Sequence, residues 1–279
     1  MSFRIEINPE LKMKSDIMFK AFYGRKENEE FLQDFLEAIL GEKIAIKKVM
    51  HDVRLEQLAK EQKFGILDLG VELEDGEFIN VEIQIKNYKN IEKRTTFYAC
   101  KKLIEQLEPG EDYRQLKPTI IIAILDYSFI KLPEYITETV RVAKEHRDYE
   151  INNDVKYYYI ELEKFRNQNP DMTKRINQWI SFVDMERSDL LEMACKENDK
   201  VKRAVENYEV LTGDEEVKRL AEIRLMSKLE EKSALDCAKE EGLEQGKREI
   251  AQKLKKQKMP IKQISEITGL SEEEIEELK

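Results

Sequence analysis

Residues Phe64 to Lys86 read Phe-Gly-Ile-Leu-Asp-Leu-Gly-Val-Glu-Leu-Glu-Asp-Gly-Glu-Phe-Ile-Asn-Val-Glu-Ile-Gln-Ile-Lys, two alternating apolar runs about a Glu74-Asp75-Gly76 turn. Alternation with period two is the signature of a half-buried strand, and a Gly-containing turn between two such runs is that of a hairpin. In the first run Leu67, Leu69, Val71 and Leu73 share a face, and Asp68 lies on the other with Ile66, Gly70 and Glu72. In the second run Ile79, Val81, Ile83 and Ile85 share a face, leaving Glu82, Gln84 and Lys86 opposite.

Turn length decides whether the polar residues meet. A two-residue Asp-Gly loop would set Asp68 opposite Ile83 and mix apolar with polar faces. A three-residue loop with Gly76 left-handed pairs Leu69 with Val81, Leu67 with Ile83 and Asp68 with Glu82. The hydrophobic pattern selects the second register, because a slip of one residue turns every side chain over. Opposed Cβ atoms lie about 5 Å apart. Two carboxylates at that distance repel unless a cation lies between them, which makes Asp68 and Glu82 candidate ligands of one divalent ion. An all-oxygen donor set favours Mg²⁺, with Mn²⁺ as the substitute.

Composition narrows the classes. The chain has 279 residues, enough for one large domain or two smaller ones, and its 41% hydrophobic content supports a core. Charged residues make up 38%, which implies long solvated helices. No apolar run reaches the length of about 18 residues needed to span a bilayer, and the N-terminus lacks an apolar signal core. A cytoplasmic protein with no membrane partner is therefore expected. Cys100, Cys195 and Cys237 are widely spaced, and with His51 and His146 as the two histidines they argue against a zinc site. The net charge of −10 argues against a broad nucleic-acid-binding surface, although local basic clusters remain compatible with it.

Outward from the hairpin, Pro9 to Gly24 predicts a short helix capped by Ser15 or Asp16, with Ile17, Phe19 and Phe22 inward. Asn28 to Leu40 predicts an amphipathic helix closed by Gly41, and Ile44 to Val53 a strand. After the hairpin, Ile91 to Leu107 predicts a helix with Phe97, Leu103, Ile104 and Leu107 inward. Thr119 to Leu125 is a wholly apolar run, as expected of a strand buried on both faces. Weaker strands follow at Thr139 to Ala143 and Val155 to Ile160. This order describes an α/β fold, a mixed sheet flanked by helices.

Beyond about Met172 the pattern is all-α. The expected organisation is an α/β domain over 1–165, a helical extension over 166–212, a charged helix or coiled-coil stalk over 213–258, and a two-helix unit over 259–279. Val217, Leu220, Leu225 and Leu229 give the charged helix a thin apolar stripe, and Gly242 and Gly246 are expected to interrupt it. The last unit has helix-turn-helix spacing, but Glu272, Glu273, Glu274, Glu276 and Glu277 would repel phosphate. Packing or self-association into a dimer through the C-terminal helices fits that charge better than base reading.

Three ordered segments carry a family resemblance: Lys14-Ser15-Asp16-Ile17-Met18-Phe19-Lys20 with Phe22 and Gly24, Gly65-Ile66-Leu67-Asp68-Leu69, and Asn80-Val81-Glu82-Ile83-Gln84. With the helix and buried strand that follow, the first 130 or so residues resemble the PD-(D/E)XK nuclease superfamily, and within it the Rpn (recombination-promoting nuclease) transposase family. The resemblance implies a restriction-endonuclease-like mixed sheet followed by an all-α region. It also implies a metal-dependent DNA endonuclease linked to recombination, transposition or defence. Asp68 and Glu82 match the metal-binding acids, and Gln84 occupies the position named for lysine. Gln84 carries no charge, so Lys86, two residues on, is an auxiliary candidate, as is Asp16 in the first helix. Arg54 and Lys63 are candidate phosphate contacts. Two other readings stay open: a catalytically inactive member that binds DNA or protein, and a helical interaction protein with a structural hairpin.

Overall fold

The computed structural model describes residues 9–51, 69–152 and 154–278. A six-stranded mixed sheet in the order β1-β2-β3-β4-β6-β5 forms the middle layer. Its strands are β1 (Ile46–His51), β2 (Leu69–Leu73), β3 (Phe78–Gln84), β4 (Thr119–Leu125), β5 (Ile136–Thr139) and β6 (Val155–Glu161). β1, β2 and β3 run antiparallel in turn, β4 lies parallel to β3 and to β6, and β5 closes the far edge antiparallel to β6. β4 is buried along its whole length, as its unbroken apolar run predicts.

The hairpin has the expected register. Leu69 pairs with Val81 and Val71 with Ile79, and Gly76 closes the three-residue loop at φ +90° with its amide bonded to the Leu73 carbonyl, 3.0 Å. Leu67 and Asp68 lie outside the described residues.

Helices cover one sheet face first. A single 3₁₀ turn, Pro9–Leu11, precedes α1 (Asp16–Tyr23), so the expected N-terminal helix starts later than its apolar pattern suggested. Ser15, rather than Asp16, is its cap: the hydroxyl accepts from the Met18 amide at 3.1 Å. α2 (Glu29–Leu40) ends at Gly41 with φ +74°. Both pack with α5 (Arg175–Asp184) over the apolar side of the sheet, through Leu69, Val71, Ile79, Val81, Ile120, Ile122 and Ile124. Phe22, Tyr23, Phe31, Phe35, Trp179 and Phe182 form the aromatic centre of that layer. Inside it the Trp179 indole donates to Asp34 at 2.9 Å, and Lys200 neutralises Asp34 at 2.7 Å. Burying that carboxylate would cost several kcal/mol were it unpaired.

The opposite face is covered by α3 (Ile91–Ile104), the crossover between the parallel strands β3 and β4. Here the sequence expectation fails in part. Ile91, Thr95 and Ala99 face inward, while Phe97 and Ile104 are 64% and 75% exposed. The small side chains of Thr95 and Ala99, one and two turns after Ile91, let the helix lie close to the sheet, which turns the bulkier residues outward. The expected strand at Thr139 to Ala143 forms earlier, as Ile136–Thr139, leaving an isolated bridge at Val142. Its pairing with Tyr157 to Ile160 outweighs the local pattern.

After α4 (Leu162–Arg166) and α5 come α6 (Ser188–Glu197), α7 (Asp199–Thr212) and α8 (Glu215–Lys256). The described chain divides into compact units at 1–224 and 225–279. α8 runs without a break, contrary to the expectation that Gly242 and Gly246 interrupt it. Each glycine costs a helix about 1 kcal/mol relative to alanine, too little to stop one of 42 residues. In the second unit, α9 (Ile261–Thr268) and α10 (Glu272–Glu277) pack on Ala251 through Ile264, Leu270 and Ile275. Ser271 and Glu274 make a capping box, and Lys255 Nζ donates to the carbonyls of Ile275, Glu276 and Leu278 at 2.7–2.9 Å.

Candidate active site

Glu82, near the end of β3, is a fully buried carboxylate on the sheet face that α3 covers. Strand alternation brings the two residues at i and i+2 together: the Gln84 amide Nε2 donates to Glu82 Oε1 at 2.9 Å. From the first turn of α3, the Arg94 guanidinium Nε pairs with the same Oε1. Arg94 also lies over the Tyr98 ring, 5.5 Å from its centroid. Burial, and next the negative charge of Glu82, push the nearby Tyr127 phenol up to about 12.

The end of β3 is tied to the N-terminal segment. The Asp126 amide, just past β4, donates to the Gln84 carbonyl at 2.9 Å. Lys14 Nζ reaches Asp126 Oδ2 at 2.8 Å and Glu186 Oε1 at 2.9 Å, and Arg166 bridges Asp126 at 2.6 Å and Asp184 at 2.8 Å. Burial pushes the Asp184 carboxyl up to about 6 in spite of Arg166. Burial would raise Glu186 too, but hydrogen bonds from Lys12 and Lys14 hold it down at about 2.

The sequence candidates fall in different places. Glu82 and Gln84 come together as expected. Asp68, Arg54 and Lys63 lie outside the described residues. Asp16 opens α1 and pairs with Arg224 at 2.8 Å. β3 ends at Gln84, so the alternation that would carry Lys86 to the face of Glu82 stops two residues short of it, and Lys86 is exposed in the bend beyond. Arg94 and Lys14 were missed as site residues. Arg94 had one available signal, its i, i+4 spacing to Tyr98 on a helix following an acidic strand.

Among the described residues no three His, Cys, Asp or Glu side chains gather as a metal cluster. The chemistry around Glu82 nevertheless suits a hard divalent ion. The carboxylate and the Gln84 side-chain oxygen are oxygen donors on one strand face. Among the described residues no helix is long and apolar enough to cross a membrane.

Comparison with known proteins gives one finding. Residues 13–238 match a family model described as "PD-(D/E)XK nuclease family transposase". No curated protein and no solved structure gives a significant match.

Proposed function

The chain belongs to the PD-(D/E)XK nuclease family transposases, and from that premise we propose that it is a divalent-metal-dependent DNA endonuclease that hydrolyses phosphodiester bonds. The observation that carries this reading is the fully buried Glu82 on a hairpin whose register pairs Leu69 with Val81. One further step of that register is the one proposed for Asp68 and Glu82.

In this reading Asp68 and Glu82 hold Mg²⁺ or Mn²⁺, and Gln84 orients a water or a phosphate oxygen through its amide. The ion supplies Lewis acidity and lowers the pKa of a bound water. Burial of Glu82 excludes bulk solvent from one side of the site and strengthens every charge interaction there. Asp16 and Lys86 are proposed auxiliary residues, and Arg54 and Lys63 proposed phosphate contacts. The proposed setting is cytoplasmic DNA breakage in recombination, transposition or defence.

Purified protein is expected to nick plasmid DNA with Mg²⁺ or Mn²⁺, and Asp68→Ala and Glu82→Ala are each expected to abolish nicking. Cleavage that survives both substitutions overturns the assignment. Wild-type protein that binds DNA without cutting it, under any divalent ion, favours the inactive-member alternative.

Self-association through α8 is part of the proposal. Charges along its exposed stretch change sign about Glu244: Glu241 answers Lys247, Glu240 answers Arg248 and Lys239 answers Glu249. Two copies laid antiparallel at that point would set opposite charges side by side. Reversing Glu240 and Glu241 to lysine is expected to weaken the dimer in sedimentation, and adding Lys247→Glu and Arg248→Glu to restore it.

A further inference from the structure

We infer that Arg94 is the exchangeable cation of the site: it compensates Glu82 in the metal-free protein and moves to the substrate phosphate when a divalent ion takes its place. The inference rests on the metal reading of Glu82 and goes beyond it, since Arg94 belongs to none of the motif segments.

Three observations lead to it. First, a fully buried carboxylate requires a nearby positive charge. Arg94 provides it by direct contact with Oε1. Second, an ion bound to Glu82 and a guanidinium on the same carboxylate repel at close range, so binding the first loosens the second. Third, Arg94 has somewhere to go. Its side chain keeps 23% of its surface in solvent, so the guanidinium can swing outward; its contact with the Tyr98 ring is already made while it pairs with Glu82. A planar guanidinium at the edge of the site matches two phosphate oxygens at once. Gln84, which bonds to the same Oε1, is neutral. Arg94 thereby supplies the positive charge that strand β3 does not carry beside its acid.

A group that only braced the sheet would not compete with metal, so direct metal binding separates the two roles. The probe is Mn²⁺ alone, titrated into the full-length chain without DNA and read by electron paramagnetic resonance and by thermal melting. Neighbouring charge changes a carboxylate's proton affinity by about ten- to thousandfold. Arg94→Gln is therefore expected to bind Mn²⁺ at least about tenfold more tightly than wild type, and to gain more melting temperature from Mn²⁺. Nicking by the same variant is expected to fall by about a hundredfold or more, the usual cost of removing one charge-stabilising group. Arg94→Lys is expected to keep Mn²⁺ affinity within about threefold of wild type, because one charge replaces another.

If Arg94→Gln folds only with Mn²⁺ present, the ion is replacing the missing charge, as inferred. Equal Mn²⁺ affinity in wild type and Arg94→Gln overturns the exchange and leaves the nuclease reading intact. Absence of Mn²⁺ binding by wild type overturns both.

Discussion

Lys14 Nζ sits 2.8 Å from Asp126 Oδ2, and the amide of that same aspartate donates to the carbonyl of Gln84 at 2.9 Å. Two bonds thus join the segment ahead of α1 to the last residue of β3. Lys14 and Asp126 are each largely buried, and breaking a buried pair from one side costs about 3–5 kcal/mol. Arg166 still compensates Asp126 at 2.6 Å, so Lys14→Met is expected at the lower end, about 3 kcal/mol in urea unfolding. Lys14→Arg is expected to recover most of it. A loss under about 1 kcal/mol for Lys14→Met would show that the tie contributes little.

Asp184 gives a pH dependence with a definite sign. Its folded value of about 6 stands above the ordinary value of 3.8, so the folded state binds the extra proton between about pH 4 and pH 6. Its contribution is therefore fully present below about pH 4 and is lost as pH rises to about 6. The two values differ by about two, equivalent to about 3 kcal/mol at most. Asp184→Asn removes this dependence. The variant is expected to gain on wild type steadily from pH 4 to 6.5 in thermal melts, then hold a constant advantage. Glu186, held down at about 2, acts in the opposite sense. Its stabilisation is present above about pH 4.5 and lost as pH falls below that.

Much of the sheet was legible because its rules are local. Alternation and a single Gly fix the Leu69–Val81 register, and the Thr119 to Leu125 run announces a strand covered on both faces. The Glu82–Gln84 contact follows from period two alone. Arg94 was not legible as the partner of Glu82, because a strand-to-helix ion pair twelve residues apart leaves no periodic mark. The outward turn of Phe97 and Ile104 was equally hidden. Their hydrophobicity pointed inward, and only the close seating of Thr95 and Ala99 on the sheet determined which side of α3 is covered. Position 68, on which the metal reading also depends, lies outside the described residues.

The glycines of α8 offer a direct test of helix continuity. A Cβ at Gly242 or Gly246 meets nothing within 4 Å. Each Gly→Ala substitution is therefore expected to stabilise the helix by about 0.5–1 kcal/mol, with higher ellipticity at 222 nm on the order of a few per cent. A destabilising effect at either position would contradict a continuous helix there.

Lys255 closes the end of α10 by donating to three carbonyls. Such a cap at a helix C-terminus adds about 1–2 kcal/mol. Lys255→Met keeps the aliphatic stem and removes the donor. It is expected to speed amide exchange in α9 and α10 by about tenfold, with little change in the amides of β4.

Placing β4 between β3 and β6 has a consequence for the order of synthesis. When Leu125 has left the ribosome, the strand has one neighbour, and its other edge waits for Val155 to Glu161. At about 5–20 residues per second, those residues take several seconds to arrive. For that time a seven-residue apolar strand presents open backbone groups, the geometry that templates pairing between chains. Slower translation of the stretch between β4 and β6 therefore lengthens the time for which that edge stays open.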